Sequence, residues 1–214
     1  METQPQSRKA TRREQEFRLR RQEIMNAART LFIAKGLRNT TLDEIAEASA
    51  FGKGTIYNYF TNKDDLFLAI VHQLIDETLA ATGAAMSAAP EGARAKLLAY
   101  ALTTVSHYHT NHEVFLMIMR EHNQINPQMI AKFTDRYQER LSLVSQSLQT
   151  GMLAGTILPA DPQKLATLFD GMIRTYVIAV SQGLWPSSGE SPTDVAELMV
   201  SVFFDGIANK QNQG

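Results

Sequence analysis

The sequence of 214 residues contains no cysteine, and glycine (12 residues) and proline (7 residues) are sparse. The absence of cysteine excludes disulfide frameworks, thiolate metal sites and a cysteine nucleophile. No apolar run is long enough to span a membrane, and the basic N-terminal segment is not followed by the apolar stretch of a signal peptide. We therefore expect a soluble cytoplasmic protein that does not associate with membranes, with a core of ordinary size.

Positive charge is concentrated at the N-terminal end of the chain. Residues 1–63 hold twelve Lys and Arg against seven Asp and Glu, whereas residues 64–214 hold nine against fifteen, although the overall net charge is only −1. Such a cluster neutralises phosphates when a protein binds nucleic acid, and a solvated basic tail is the alternative. Residues 1–17 are interpreted as a basic N-terminal arm. The basic residues that begin the chain are Arg8, Lys9, Arg12, Arg13, Arg18, Arg20 and Arg21.

Apolar residues recur with helical spacing along nearly the whole chain, and no stretch alternates long enough to indicate a strand. The pattern predicts an all-α protein with about nine helices. Three of them form an N-terminal domain that includes a helix-turn-helix, and the others form a larger helical domain. The later helices are expected near residues 64–82, 91–109, 112–123, 127–151, 161–183 and 193–208, with prolines at several starts or breaks.

The N-terminal region has the pattern of two short helices joined by a tight turn. Thr41 and Glu44 have the spacing of a capping box, and a further short helix is expected to bury Ile56 and Phe60. Together these helices, at about residues 41–60, have the dimensions of a helix-turn-helix whose second helix reads DNA. A small amphipathic helix with a solvated polar face is the alternative. The groups on the exposed side that are able to contact bases and phosphates are Lys53, Gly54, Thr55, Asn58 and Tyr59.

The run Phe-Gly-Lys-Gly-Thr-Ile-Tyr-Asn-Tyr-Phe-Thr-Asn-Lys-Asp-Asp-Leu, from Phe51 to Leu66, resembles the DNA-binding domain of the TetR family of bacterial transcriptional regulators. The segments Ala-Arg-Thr-Leu-Phe, ending at Phe32, and Thr-Thr-Leu-Asp-Glu-Ile-Ala, ending at Ala46, match the same domain. The resemblance implies that this domain spans residues 18–66. The sequence departs from the usual family residues, which are a turn glycine, a serine and a histidine, at Ala50, Gly52 and Asn58.

The resemblance also implies a role for individual side chains. The side chains implied to face the major groove are those of Thr55, Asn58 and Tyr59. The side chains implied to contact the DNA backbone are those of Thr41, Tyr57 and Lys63. Lys53 is suited to either a base or a phosphate, and Tyr57 is equally suited to packing against the first helix.

Residues 67–214 resemble the family less closely. The resemblance implies that they form a helical domain that binds an effector and forms a homodimer through its last two long helices. The residues assigned to an effector cavity, each with ordinary core packing as the alternative, are Phe115, Met119, Arg120, His122, Asn123, Phe133, Tyr137, Met172 and Tyr176. The apolar faces of the last two helices either close the subunit core or pair across a two-fold axis. The residues assigned to a dimer interface are Phe169, Ile173, Leu198, Val202 and Phe203.

These observations favour a ligand-responsive DNA-binding transcriptional regulator. In this interpretation a homodimer represses by binding a palindromic double-stranded operator, and a small amphipathic or hydrophobic effector releases it. A regulator without a small-molecule effector is one alternative, and a metal-dependent enzyme that uses His107, His109, His112 and Glu113 is another. The sequence contains no zinc-protease, nucleophile-elbow or phosphate-loop motif, so no catalytic residue, metal or cofactor is assigned.

Overall fold

The computed structural model describes residues 5–121, 127–185 and 189–207, without the side chains of residues 5–11, 127–133 and 207. This part of the chain holds nine α-helices and no strand, which confirms the all-α class. None of the helices in these ranges is both long and apolar enough to cross a membrane. The helices are α1 (Pro5–Lys35), α2 (Leu42–Ala48), α3 (Lys53–Tyr57), α4 (Lys63–Ala88), α5 (Ala93–Thr110), α6 (His112–Glu121), α7 (Pro127–Leu153), α8 (Pro162–Ser181) and α9 (Pro192–Ile207).

Two long helices extend beyond their expected ends. Residues 5–17, which were expected to form an arm, continue α1 toward the N-terminus, and this stretch is rich in Arg, Gln and Glu, which have high helix propensity. Helix α4 continues past residue 82, although Gly83 disfavours a helix by about 1 kcal/mol relative to Ala. The alanines that follow Gly83 favour the helix, and Met86 is buried in the core of its unit.

The chain divides into two compact units. The first contains the described residues 5–73 and 116–121, and the second contains residues 74–115, 127–185 and 189–207. In the first unit α2 packs against α1 and α3. The rings of Phe32 and Phe67 meet at a centroid distance of 6.0 Å in its core. Its buried apolar side chains include Ile24, Ala28, Phe32, Ile45, Ile56, Phe60, Leu66 and Phe67.

The turn between α2 and α3 is a Schellman motif. The backbone N–H of Phe51 donates to the carbonyl of Ala46 at 3.0 Å, and the N–H of Ala50 donates to the carbonyl of Glu47 at 3.1 Å. Ala50 occupies the position that glycine usually takes in this motif, and its φ is 56°. The backbone of Ala50 therefore adopts the left-handed conformation, which is unfavourable for a residue with a Cβ atom.

The second unit is a helical bundle with α5 at its centre. Helix α5 packs against α7, α8 and α9, and α7 also packs against α8. The side chains that fill the space between these helices are mostly large and apolar. The buried residues of the bundle include Leu97, Tyr100, Val105, Tyr108, Val144, Leu148, Phe169, Ile173, Val200 and Phe203.

Candidate nucleic-acid interface and effector-binding core

The segment predicted to read DNA presents polar groups to solvent. Ile56 and Phe60 are buried and fix this segment to the core of the first unit. Helix α3 ends at Tyr57, earlier than expected, because Asn58 is its C-cap and donates its backbone N–H to the carbonyl of Thr55 at 3.1 Å. Thr55 and Tyr59 are partly buried. We call the exposed residues of this segment the recognition surface: Lys53, Gly54, Tyr57 and Asn58.

The start of α2 is fixed by a complete capping box. The backbone N–H of Thr41 donates to Oε2 of Glu44 at 2.9 Å, and the N–H of Glu44 donates to the hydroxyl oxygen of Thr41 at 3.2 Å. The ammonium group of Lys35 donates to Oε1 of Glu44. This bond from Lys35, together with the backbone bond from Thr41, lowers the pKa of Glu44. The Thr41 hydroxyl, which was predicted to contact DNA, is therefore already engaged within the protein.

Lys53 of the recognition surface and the nearby Lys63 also have partners within the protein. The ammonium group of Lys53 lies 2.8 Å from Oδ1 of Asp43, and this hydrogen-bonded ion pair raises the pKa of Lys53. The ammonium group of Lys63 donates to the carbonyl of Arg38 at 3.2 Å and to the carbonyl of Thr40 at 2.9 Å. Lys53 is exposed, and a surface ion pair such as that with Asp43 contributes little net free energy, so its ammonium group is free to exchange this partner. Lys63 is partly buried, and its partners are backbone carbonyls.

Helix α1 contacts the C-terminal end of the segment predicted to read DNA. The ring of Phe17 lies 4.5 Å from the ring of Tyr59, with an angle of 32° between the planes, and the guanidinium group of Arg21 lies 5.0 Å from the ring centre of Phe60. These contacts place the middle of α1 beside Tyr59, which was predicted to read bases, and beside the buried Phe60. The side chain of Tyr57 is 52% exposed, so its ring is not packed in the core.

The basic side chains of α1 are directed to solvent. Arg12, Arg13, Arg18 and Arg20 are all exposed. The guanidinium group of Arg20 lies 2.6 Å from Oε1 of Glu16, an exposed pair one helical turn apart. The positive surface of α1 thus continues along the helix that contacts Tyr59, and such a surface attracts phosphates.

The residues predicted to line an effector cavity are not all brought together. Tyr176 is buried and Phe115, Tyr137 and Met172 pack against the core of the second unit. Met119 and Arg120 belong to the first unit. Both side chains are exposed, because Val114 and Met117 occupy the buried side of α6. The predicted residues that lie outside the described side chains are His122, Asn123 and Phe133.

An ionic cluster that the sequence analysis did not predict lies between α5, α7 and α8. Asp170 is 0% exposed, and its carboxylate lies 2.9 Å from a guanidinium nitrogen of Arg140 and 3.3 Å from Nε of Arg174. The hydroxyl of Tyr100 donates to the same carboxylate at 2.6 Å. Burial raises the pKa of Tyr100, so its hydroxyl remains a donor at neutral pH. These four residues form what we call the Asp170 cluster.

Tyr108 is a second unusual polar group in this unit. Its side chain is 1% exposed, and its hydroxyl has no hydrogen-bond partner in the part of the chain that the structure describes. Its ring makes edge contacts with the rings of His112, Phe115 and Tyr176 at centroid distances of 5.7, 5.2 and 6.3 Å. Burial raises the pKa of Tyr108.

The histidines that suggested a metal site contact protein groups instead. Nδ1 of His107 lies 3.4 Å from the hydroxyl of Thr78, and Nε2 of His109 lies 2.8 Å from the hydroxyl of Tyr176. The ring of His112 contacts an aromatic ring of α5. Within the described ranges, no group of three or more His, Cys, Asp or Glu side chains is arranged to hold a metal ion.

The residues assigned to a dimer interface occupy two different environments. Phe169, Ile173 and Phe203 are buried inside the second unit, which corrects their assignment to a surface that meets a partner. Two other residues assigned to the interface lie on the exposed side of α9. Leu198 is half-exposed and Val202 is 59% exposed. These two therefore remain available for contact with another chain.

The N-terminal part of the chain matches a known protein family. Residues 24–70 match the family model described as "Bacterial regulatory proteins, tetR family". The matched range contains the second half of α1, the complete helix-turn-helix and the beginning of α4.

Comparisons over most of the chain find transcriptional regulators and a similar fold. The chain is 27% identical over 162 residues to the uncharacterized HTH-type transcriptional regulator YhgD of Bacillus subtilis, covering 75% of this chain and 82% of that protein. It is 26% identical over 196 residues to the HTH-type transcriptional repressor KstR2 of Rhodococcus jostii, covering 90% of this chain and 93% of that protein. Its fold is similar to that of AibR, solved in complex with isovaleryl coenzyme A and operator DNA, with a TM-score of 0.67, 22% identity and coverage of 86% and 98%.

Proposed function

Because the chain belongs to the TetR family of bacterial transcriptional regulators, we propose that it is a repressor whose first unit binds a palindromic double-stranded operator. The observation that carries the proposal is the exposed recognition surface on a segment anchored by Ile56 and Phe60. The relative named KstR2 is a transcriptional repressor, which supports the sign of regulation. A regulator of this kind acts in the cytoplasm on chromosomal DNA and catalyses no reaction.

We assign base reading to Thr55, Asn58 and Tyr59. An amide side chain such as that of Asn58 is able to pair with adenine through two hydrogen bonds in the major groove. Phosphate contacts are assigned to Lys53 and Lys63, whose present partners are a surface carboxylate and backbone carbonyls. The exposed arginines of α1 extend the contact to neighbouring phosphates.

The test is a gel-shift titration of the purified protein against DNA from the region upstream of its own gene. Asn58→Ala is expected to weaken binding to the operator by about 1–3 kcal/mol and to leave binding to unrelated DNA unchanged. Asn26→Ala is the matched control, because Asn26 is an exposed asparagine of the same unit outside the recognition surface. Unchanged operator selectivity in Asn58→Ala contradicts the assigned base contact.

The salt dependence of the same assay separates phosphate contacts from base contacts. Lys63→Ala is expected to weaken binding to all DNA sequences and to reduce the slope of log K against log salt by about 1. A complex that disappears entirely at the higher salt concentration, with and without the operator sequence, contradicts specific recognition.

We propose that a small amphipathic or hydrophobic effector binds the second unit and releases the DNA. The effector must bind more tightly to the DNA-free arrangement of the dimer, because a ligand shifts an equilibrium only by its difference in affinity for the two states. The structure of AibR with isovaleryl coenzyme A and operator DNA supports effector control in a protein of the same fold. Buried polar groups in the second unit, such as those around Asp170 and the hydroxyl of Tyr108, are suited to hydrogen bonds with the polar part of such an effector.

We propose that the exposed apolar side chains of α8 and α9 form the homodimer. Leu168, Leu198 and Val202 are at least half-exposed, and burial of such groups on association is favourable by about 25 cal/mol per Å². Val202→Glu is expected to halve the mass measured by sedimentation. Phe203→Ala is the control, because a core substitution lowers stability by about 3–5 kcal/mol without changing the mass. An unchanged mass in Val202→Glu contradicts this interface.

A further inference from the structure

The Asp170 cluster holds more positive charge than its carboxylate balances. One buried carboxylate lies within ion-pair distance of two guanidinium groups, those of Arg140 and Arg174. Both guanidinium groups also lie over the ring of Tyr137, at 5.6 and 5.1 Å from its centre. Tyr100 adds a neutral hydroxyl donor and no negative charge. The cluster therefore carries one net positive charge.

Arg140 has a buried hydrogen-bond donor that no described residue accepts. Its Nε is buried and has no acceptor among the described residues, whereas another nitrogen of the same guanidinium group bonds to Asp170 at 3.1 Å. A guanidinium group has only donors, so the absent partner must be an acceptor. A buried donor without an acceptor destabilises the protein, and a ligand that supplies the acceptor removes this cost.

The surroundings of Arg140 restrict the chemistry of that ligand. The side chain of Arg140 is only 21% exposed. The same parts of α7 and α8 contribute Leu141, Val144, Phe169 and Ile173 to one buried apolar cluster. A ligand that reaches Nε must therefore combine an acceptor group with apolar surface. The mostly buried guanidinium group of Arg140 favours an anionic acceptor, and a monoanion brings less charge close to the apolar core than a dianionic phosphate does.

We propose that Arg140 binds the carboxylate of an amphipathic monocarboxylate, which accepts a hydrogen bond from Nε while its apolar part packs against the core of the second unit. This ligand is the effector of the proposed function, so its identification depends on that function. The guanidinium group of Arg140 keeps its bond to Asp170 when the ligand binds. The hydroxyl of Tyr108, which has no partner among the described residues, is a second buried group of this unit that a ligand oxygen would satisfy.

The test compares probes that share an apolar chain and differ in the head group. Binding of octanoate, octan-1-ol and octylamine to the full-length protein is measured by isothermal titration calorimetry, with butanoate, dodecanoate and 4-phenylbutanoate to vary the apolar part. We expect at least one carboxylate to bind at least about tenfold more tightly than the alcohol and the amine of the same chain, because a hydrogen bond to a charged group is strong. Binding of none of the carboxylates, or equal binding of the matched alcohol, overturns the proposal.

A pair of variants locates the carboxylate on the protein. Arg140→Lys keeps a cation beside Asp170 but removes Nε, and it is expected to weaken carboxylate binding at least about tenfold. Arg136→Lys is the control, because Arg136 lies one turn earlier on α7 and forms exposed pairs with Asp76 and Glu139. Unchanged carboxylate affinity in Arg140→Lys overturns the proposal. The comparison of head groups on the unaltered chain does not depend on how well this variant folds.

A gel shift of the ligand-free protein separates this inference from the proposed function. An operator shift without carboxylate binding overturns the effector class and leaves the regulator intact. Carboxylate binding that requires Arg140, without any operator shift, supports the site and contradicts the DNA-binding function. Release of the operator by the carboxylate, in the unaltered chain but not in Arg140→Lys, supports both.

Discussion

Ala50 provides a sharp test of the energetics of the helix-turn-helix. Among the described residues it is the one non-glycine residue with positive φ, at 56°. The left-handed conformation costs a residue with a Cβ about 1–2 kcal/mol. Glycine removes this cost but gains freedom in the unfolded chain, which offsets about 0.4–1 kcal/mol. We therefore expect Ala50→Gly to stabilise the protein by about 1 kcal/mol, which raises Tm by about 2–4 °C in a chain of this size.

Ala48→Gly is the matched control for this substitution. Ala48 is also exposed, but it is the last residue of α2, where its backbone is helical and glycine is less favourable than alanine by up to about 1 kcal/mol. The two identical chemical changes, two residues apart, should therefore shift the midpoint of denaturant unfolding in opposite directions, as followed by circular dichroism. Destabilisation of similar size by both substitutions would refute the assigned backbone strain at Ala50.

Other substitutions test the interior and the capping box. Tyr108→Phe removes a buried hydroxyl without a described partner and is expected to raise stability by about 1 kcal/mol, so a lower Tm contradicts the assignment. Asp170→Asn leaves Arg140 without its counter-ion and is expected to cost about 3–5 kcal/mol in thermal unfolding; a loss below about 1 kcal/mol argues against a buried ion pair. Lys35 lowers the pKa of Glu44 in the folded protein below its unfolded value of about 4.5. The ionised carboxylate therefore stabilises the folded state above pH 4.5, and this stability is lost as the pH falls through the folded-state pKa. Glu44→Gln should therefore flatten the dependence of Tm on pH in the acidic range, and an unchanged profile contradicts this role.

Local sequence signals were sufficient for the order of the described helices and for the capping box, but not for every helix end. Thr41 and Glu44 are three residues apart, so their reciprocal bonds depend only on the start of one helix. The end of α3 was harder to predict, because Phe60 is buried three residues beyond the end of the helix although its spacing from Ile56 fits a helix. Burial and helical conformation are separate properties, and an apolar pattern reports only burial.

Contacts between distant residues could not be predicted from the same signals. Asp170 lies in a helix among apolar residues and binds Tyr100, 70 positions away, so only the packing of α5 against α8 brings the two together. Phe17 and Tyr59 meet in the same way across 42 positions. Phe203 fits a core and an interface equally well from its spacing, and its 8% exposure is a property of the folded bundle.

The pair between Lys53 and Asp43 has a consequence for how such a regulator evolves. Asp43 is not assigned a contact with DNA, yet in the proposed complex its carboxylate competes with phosphates for the ammonium group of Lys53. We therefore expect substitution of Asp43 to change the affinity for DNA without altering the residues proposed to distinguish one operator from another. Selection is thus able to adjust promoter occupancy at one position and sequence preference at others, so that regulatory strength and target choice diverge independently among descendants.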